Sequence, residues 1–357
     1  MQRHPILTTK WAYEWGVVLK GVEQVWLRSG EQSYLNYIKR NIDEFVEADG
    51  AVRTYRIEEY NLDQINTGKL LFGLWRETGD ERYKKAIWLL REQLRTHPRT
   101  SENGFWHKRI YPHQMWLDGI YMQGPFYAQF TKTFDEPAGF DDVAHQIILI
   151  ERNTRAPESG LLYHAWDESR AQKWADKRTG CSPHFWGRAI GWYAMAIPDV
   201  LDHLPEDHPQ RARIIDIFRQ TISALEVVQD EATGLWYQVL DLVDRPGNYL
   251  EASASCMFVY AIAKGVRLGL LDDNHLATAV RGYKGILTHL VEVDAQGLVN
   301  LNWICGVAGL GGTPYRDGSF EYYISEPVVT NDYKGVGPLI MASVEMEQAH
   351  APQAPLG

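Results

Sequence analysis

Long apolar runs, cysteine pairs and basic clusters are all missing from this 357-residue chain. No stretch approaches the roughly 18 apolar residues of a membrane span, so no membrane partner is expected. The opening MQRHPILTTKWAYEWG lacks the apolar core of a signal peptide, which sets the expectation of a cytoplasmic protein. Three cysteines, Cys181, Cys256 and Cys305, are odd in number and far apart. They fit neither a disulfide framework nor a CxxC metal pair, and suit a reducing compartment. A net charge of −10 with no basic cluster repels nucleic acid, so none is expected as a partner. HExxH and carboxylate clusters at ligand spacing are also absent, and no metal or other cofactor is expected.

Aromatic residues, by contrast, are abundant: 13 Trp and 19 Tyr, more than a core normally needs and suited to a cleft that stacks on flat ligand faces such as sugars. Five related segments, ADGAVRTY, ENGFWHKR, ESGLLYHA, ATGLWYQV and AQGLVNLN, carry Gly50, Gly104, Gly160, Gly234 and Gly297 at intervals of 54, 56, 74 and 63 residues. Each interval has room for a helical hairpin. The helix before each glycine is amphipathic, as in Leu35, Ile38, Ile42, Phe45 and Val46, and Gly50 and Gly297 are expected to stop their helices as C′ residues. The helices that follow, at 61–77, 115–133, 183–203 and 249–269, are apolar on more than one side and rich in small residues, the mark of burial among neighbours.

With helices at 10–28 and 331–347 these make six inner helices, against five outer ones at 31–48, 80–96, 138–152, 207–228 and 275–293. An all-α fold follows, an (α/α)6 barrel in which residues 1–357 form one domain, with an open superhelical array of helix pairs as the alternative. Buried barrel helices and subunit contacts share one hydrophobic pattern, so no oligomeric state is assigned.

Polar residues on the inner helices fall near their N-termini: Asp63, Asp118, Arg188, Glu251 and Asp332. Alternation places them on one rim, where helix N-termini favour anions. Asp63 and Asp332 also suit helix caps. Asp118, behind Met115, Trp116 and Leu117, is expected inside its helix, where desolvation raises its pKa toward that of a general acid. His107 and His164 sit three and four residues past successive glycines, fitting either site residues or structural hydrogen bonders. In SPHFWGRAIGW, Pro183 reads as the first residue of a helix, and Arg188 and Trp192 share a face. Arg188 could clamp a carboxylate and Trp186 and Trp192 stack on a ring; as core residues, they would instead pair with a barrel acid and pack.

The segments NLDQINTGKLL, HQMWLDGIYMQGPF, YHAWDES, SPHFWGRAIGWYAMA and EYYISEPVVTNDYKGVG resemble, in order, the unsaturated rhamnogalacturonyl hydrolases of glycoside hydrolase family 105, with HAWD standing where HGWD is frequent. The resemblance implies an (α/α)6 barrel that processes pectin fragments in the cytoplasm. It implies Asp118 as catalytic acid, Asp63 as second acid, and His107, Trp116, His164, Trp186, Arg188 and Trp192 as contacts to a small anionic oligosaccharide. In the implied reaction Asp118 protonates C4 of a 4,5-unsaturated uronate and water adds at C5, with Asp63 holding a hydroxyl or tuning Asp118. The alternatives are an unsaturated glucuronyl hydrolase, ordinary inverting hydrolysis by Asp63 and Asp118, and a non-catalytic sugar-binding toroid.

Overall fold

The structure, a computed structural model, describes residues 4–350. Among the described residues are twelve α-helices: α1 Tyr13–Ser29, α2 Gln32–Asp43, α3 Lys69–Thr78, α4 Glu81–Thr96, α5 Leu117–Phe134, α6 Ala138–Thr154, α7 Gly187–Leu201, α8 Arg211–Val227, α9 Ala252–Arg267, α10 Leu276–Gly285, the short α11 Phe320–Ser325, and α12 Tyr333–His350. A 3-10 segment, Leu62–Gly68, runs directly into α3 and completes that inner rod.

The inner rods form a closed ring: α1 packs on α12 and on the 62–68 segment, that segment on α5, α5 on α7, α7 on α9, and α9 back on α12. Closure is what distinguishes an (α/α)6 barrel from an open array, and the all-round apolar sequences explain it. Every residue of α7 is buried, as is α9 from Ala252 to Gly265. Small residues set the spacing; a Cβ on Gly191 would lie 2.7 Å from Met257 Sδ, so glycine lets α7 approach α9. The outer helices α2, α4, α6, α8 and α10 bury one stripe each, such as Tyr83, Ala86, Ile87, Leu90 and Leu94 of α4.

Three expected helix boundaries move. Gly50 and Gly297 do not end helices: α2 stops at Asp43, and both glycines sit at φ +89° and +74° in tight chain reversals beyond. In each of the five glycine segments one backbone amide bonds across the reversal, from Glu47 to Ala51, Thr100 to Gly104, Ala156 to Leu161, Asp230 to Leu235 and Asp294 to Leu298. Four of the five glycines take positive φ; in the segment of Gly104 that role falls to Asn103 at +67°. The repeat is therefore a repeat of hairpin loops, and turn chemistry accounts for it. Pro183 likewise lies outside α7, which starts at Gly187. Residues 181–187 are held instead by other loops, with Ser182 N donating to Ala165 O at 3.0 Å and Gly187 N to Gln238 O at 2.9 Å.

Candidate active site

The hairpin loops assemble the site by pairing with one another. Strand β1 (Gln114–Trp116) runs antiparallel to β2 (Ala165–Asp167), with Trp116 opposite Ala165, and Leu117 N donates to His164 O at 3.0 Å. Asp118, the second residue of α5, is thereby set beside His164. A similar bridge joins Asn61 to Lys108, and Leu62 N donates to His107 O at 3.2 Å, which places Asp63 beside His107 and Lys108. Asn61, not Asp63, caps the 62–68 segment, its Oδ1 accepting from Asp63 N. Asp332 does act as a cap, its Oδ1 accepting from Lys334 N at 2.9 Å.

Asp118 Oδ2 lies 3.3 Å from His164 Nε2, at an angle that gives neither atom a well-formed hydrogen bond. His164 is fully buried, and its Nδ1 meets the Tyr323 hydroxyl at 2.8 Å. Burial raises the Tyr323 pKa well above its ordinary value, so the phenol keeps its proton and can donate to Nδ1. That tautomer presents Nε2–H to Asp118.

Desolvation pushes the Asp118 carboxyl up, as the sequence suggested. The electrostatic attraction of the adjacent His164 above all, with that of His107 and a backbone amide, outweighs it and holds the group below its ordinary value. The expectation of a carboxyl kept protonated by apolar neighbours is thus corrected: the free site holds a carboxylate answered by a histidine.

Asp63 has a different partner. Lys108 Nζ is 2.5 Å from its Oδ2, and His107 Nε2 is 3.5 Å from its Oδ1. Burial lowers the Lys108 pKa, but the Asp63 charge and hydrogen bond raise it further, so the ammonium stays. His107 is driven by burial down to about 4 and is neutral near pH 7. Its Nδ1 has no hydrogen-bond partner, and a Cβ on Gly119 would come within 3.3 Å of it.

His107 and Tyr111 each stack on Trp116, with centroids 4.6 Å and 4.8 Å from its own. His107 and Tyr111, with centroids 6.4 Å apart, lie side by side against Trp116, which is buried. Trp186 is buried against both His164 and Tyr323, its Nε1 donating to Gln238 Oε1. Trp192 lies buried against Tyr121 at 4.9 Å and Tyr13 at 6.1 Å. None of these three rings offers an open face for stacking on a sugar; they wall and floor the site.

Arg188 is buried and committed internally. It donates to Ser253 Oγ at 2.7 Å and to the carbonyls of Cys305 and Gly306, and pairs with the buried Glu251 at 3.5 Å. The structure favours the ion-pair reading over a clamp on ligand. Tyr13, on α1, feels the charges of Asp63, Arg188 and Asp118, as expected of residues gathered at one mouth. Among the described residues no group of His, Cys, Asp or Glu is arranged to hold a metal ion.

Residues 2–350 match the model of Glycosyl Hydrolase Family 88. The chain belongs to that family. Its fold and sequence resemble a solved family 105 glycoside hydrolase from C. acetobutylicum, with 51% identity and a TM-score of 0.94 over 96% of this chain and 95% of that one. The family 105 resemblance read from the motifs is borne out there. A protein of Agrobacterium fabrum is 42% identical over 227 residues, 62% of this chain and 96% of its own. The unsaturated rhamnogalacturonyl hydrolase YesR of Bacillus subtilis is 30% identical over 264 residues, 72% of each chain. This family 88 chain is a glycoside hydrolase, and among its described residues no helix is long and apolar enough to cross a membrane.

Three residues of this hydrolase site escaped the sequence reading. Lys108 follows His107 directly and could have been noticed as a cation beside two acids. Tyr13 and Tyr323 carry no local signal, since each reaches the site from a distant part of the chain.

Proposed function

We propose that this hydrolase releases the terminal 4,5-unsaturated galacturonyl residue from lyase-generated rhamnogalacturonan oligosaccharides. The observation that carries the reading is the division between the two acids: Asp118 faces His164 as the one acid free to exchange a proton, while Asp63 is held by Lys108. Ordinary inverting hydrolysis needs two carboxyl groups working as acid and base. Hydration of an enol ether needs one. The name of the Bacillus relative supports the same choice.

In this reading Asp118 is protonated from solvent as substrate binds, because a uronate carboxylate entering the mouth raises its pKa by like-charge repulsion. Neutral His164 keeps its Nε2–H toward the carboxyl and orients it. Asp118 delivers its proton to C4 as the C4–C5 π bond breaks, leaving oxocarbenium character at C5 and the ring oxygen. The Asp118 carboxylate then takes a proton from water as its oxygen bonds to C5. The hemiketal opens to a 5-keto group, and the hemiacetal left at C1 collapses to an aldehyde, expelling the neighbouring sugar as an alcohol. Asp63, held by Lys108 and neutral His107, orients a substrate hydroxyl. Trp116, Trp186 and Trp192 keep the site's walls in place, and Arg188 fixes the 305–306 backbone.

We take residues 1–357 as one catalytic domain working in the cytoplasm, where three buried free thiols are at home. The test is a pair of disaccharides, one with and one without the 4,5-double bond. Loss of the ultraviolet absorbance of the unsaturated sugar, with no cleavage of the saturated one, is expected. Equal cleavage of both would overturn the reading.

A further inference from the structure

The barrel has a second mouth. At the end opposite Asp118 a cavity of about 510 Å³ is lined by side chains from all six inner rods and opens past Leu27, which is 60% exposed. Most of its charges are spent on each other. Lys20 pairs with Glu23, Lys264 with Asp199 and Asp202 at 2.6 Å each, and Arg267 with Glu345 at 2.6 Å. Arg28 and Arg76 lie in the last turns of their helices, where cations offset the negative end of the helix dipole.

Lys69 fits neither pattern. It lies at the start of α3, is 3% exposed, and its Nζ has no hydrogen-bond partner among the described residues. The ammonium rests 3.7 Å from the centroid of the Tyr121 ring, a contact that leaves its three donors unmet. Buried cations are ordinarily paired, so a lone one lining an open cavity marks a vacancy for negative charge.

We propose that this opposite mouth is a second binding site, for a small oxyanion seated on the Lys69 ammonium. The groups around it leave that place to a ligand. Asp199 already serves Lys264 and the Tyr260 hydroxyl, Glu23 serves Lys20, and Glu345 serves Arg267. His203 is held neutral by burial, its pKa lowered to about 4. Burial likewise lowers Lys69 to about 7. An anion would restore the proton, so binding and protonation of Lys69 are linked.

Sulfate, whose charge is constant across the useful range, is the probe. Calorimetric titration at fixed ionic strength in chloride is expected to show one site in the wild type and in Asp118→Asn. In Lys69→Met the affinity should fall at least about tenfold. Wild-type affinity should weaken about tenfold per pH unit above about 7, as the seat loses its proton. Absence of the site in the wild type, equal binding by Lys69→Met, or an affinity unchanged between pH 6 and pH 8.5 would each overturn the proposal. Should Lys69→Met not fold, the pH dependence of the wild type decides alone. Because activity is not the readout, failure here leaves the reaction at Asp118 untouched.

Discussion

Tyr323 and His164 are 159 residues apart in sequence, yet the phenol oxygen stands 2.8 Å from Nδ1. Through this contact α11, between the fifth and sixth inner rods, sets the tautomer of the histidine that faces Asp118. Tyr323 is thus a positioning residue. Tyr323→Phe is expected to lower kcat roughly tenfold with little change in KM, and to shift the pH profile of kcat, since only the imidazole's proton placement is disturbed. An unchanged profile would return Tyr323 to a packing role.

Asp118→Asn keeps the shape of the site and removes the transferable proton. Turnover measured by absorbance should fall by about 10²–10⁴, the usual weight of a general acid–base group. Binding of the unsaturated disaccharide, followed by calorimetry, should persist.

His164→Asn removes the main group holding the Asp118 carboxyl low. In the wild type this carboxyl titrates below its unfolded value of about 3.9, so its stabilisation is full above that pH and is lost as pH falls through the folded value. In the variant burial dominates and the folded value rises, so the ionised group becomes a cost above it. The stability gap between the two proteins should therefore widen from pH 3 toward pH 7, reaching about 1–3 kcal/mol in urea titrations.

Three desolvated histidines impose an acid limit of their own. Desolvation lowers His97, His107 and His203 each to about 4. As pH drops below about 6.5 the unfolded chain takes up protons that the folded one refuses, so stability declines from about pH 6.5 to about pH 4, by up to about 1.4 kcal/mol per unit for each histidine. Urea midpoints at pH 7.5 and pH 5 check the slope.

Arg188 and Glu251 make a buried pair. Arg188→Met should destabilise by about 3–5 kcal/mol, because it strands Glu251, and adding Glu251→Gln should recover part of that loss. Additive effects in the double-mutant cycle would show that the two do not communicate.

The inner rods were legible because burial on all sides leaves a strong trace in α7 and α9. The acids were legible because a carboxylate in such a rod demands an explanation. The meaning of the glycines was only half legible: a helix stop and a hairpin reversal ask for the same residue, and Gly50 turned out to serve the second. Electrostatic balance was not legible at all. The apolar neighbours of Asp118 are visible in its own segment, but the histidine that outweighs them comes from the next hairpin, and the phenol behind that histidine from the far end of the chain. Arg188 illustrates the same limit, since its partners Glu251, Ser253 and Cys305 lie 63, 65 and 117 residues away.

The contact of α1 with α12 has a kinetic side. In an open helical array each repeat can form on its neighbour and fray from either end. Here the first rod has its neighbour on one side only after the last has been made, so the final seam joins segments more than 300 residues apart. Docking of α12 is expected to be the slow, cooperative step of folding, and unfolding to proceed as one event rather than hairpin by hairpin.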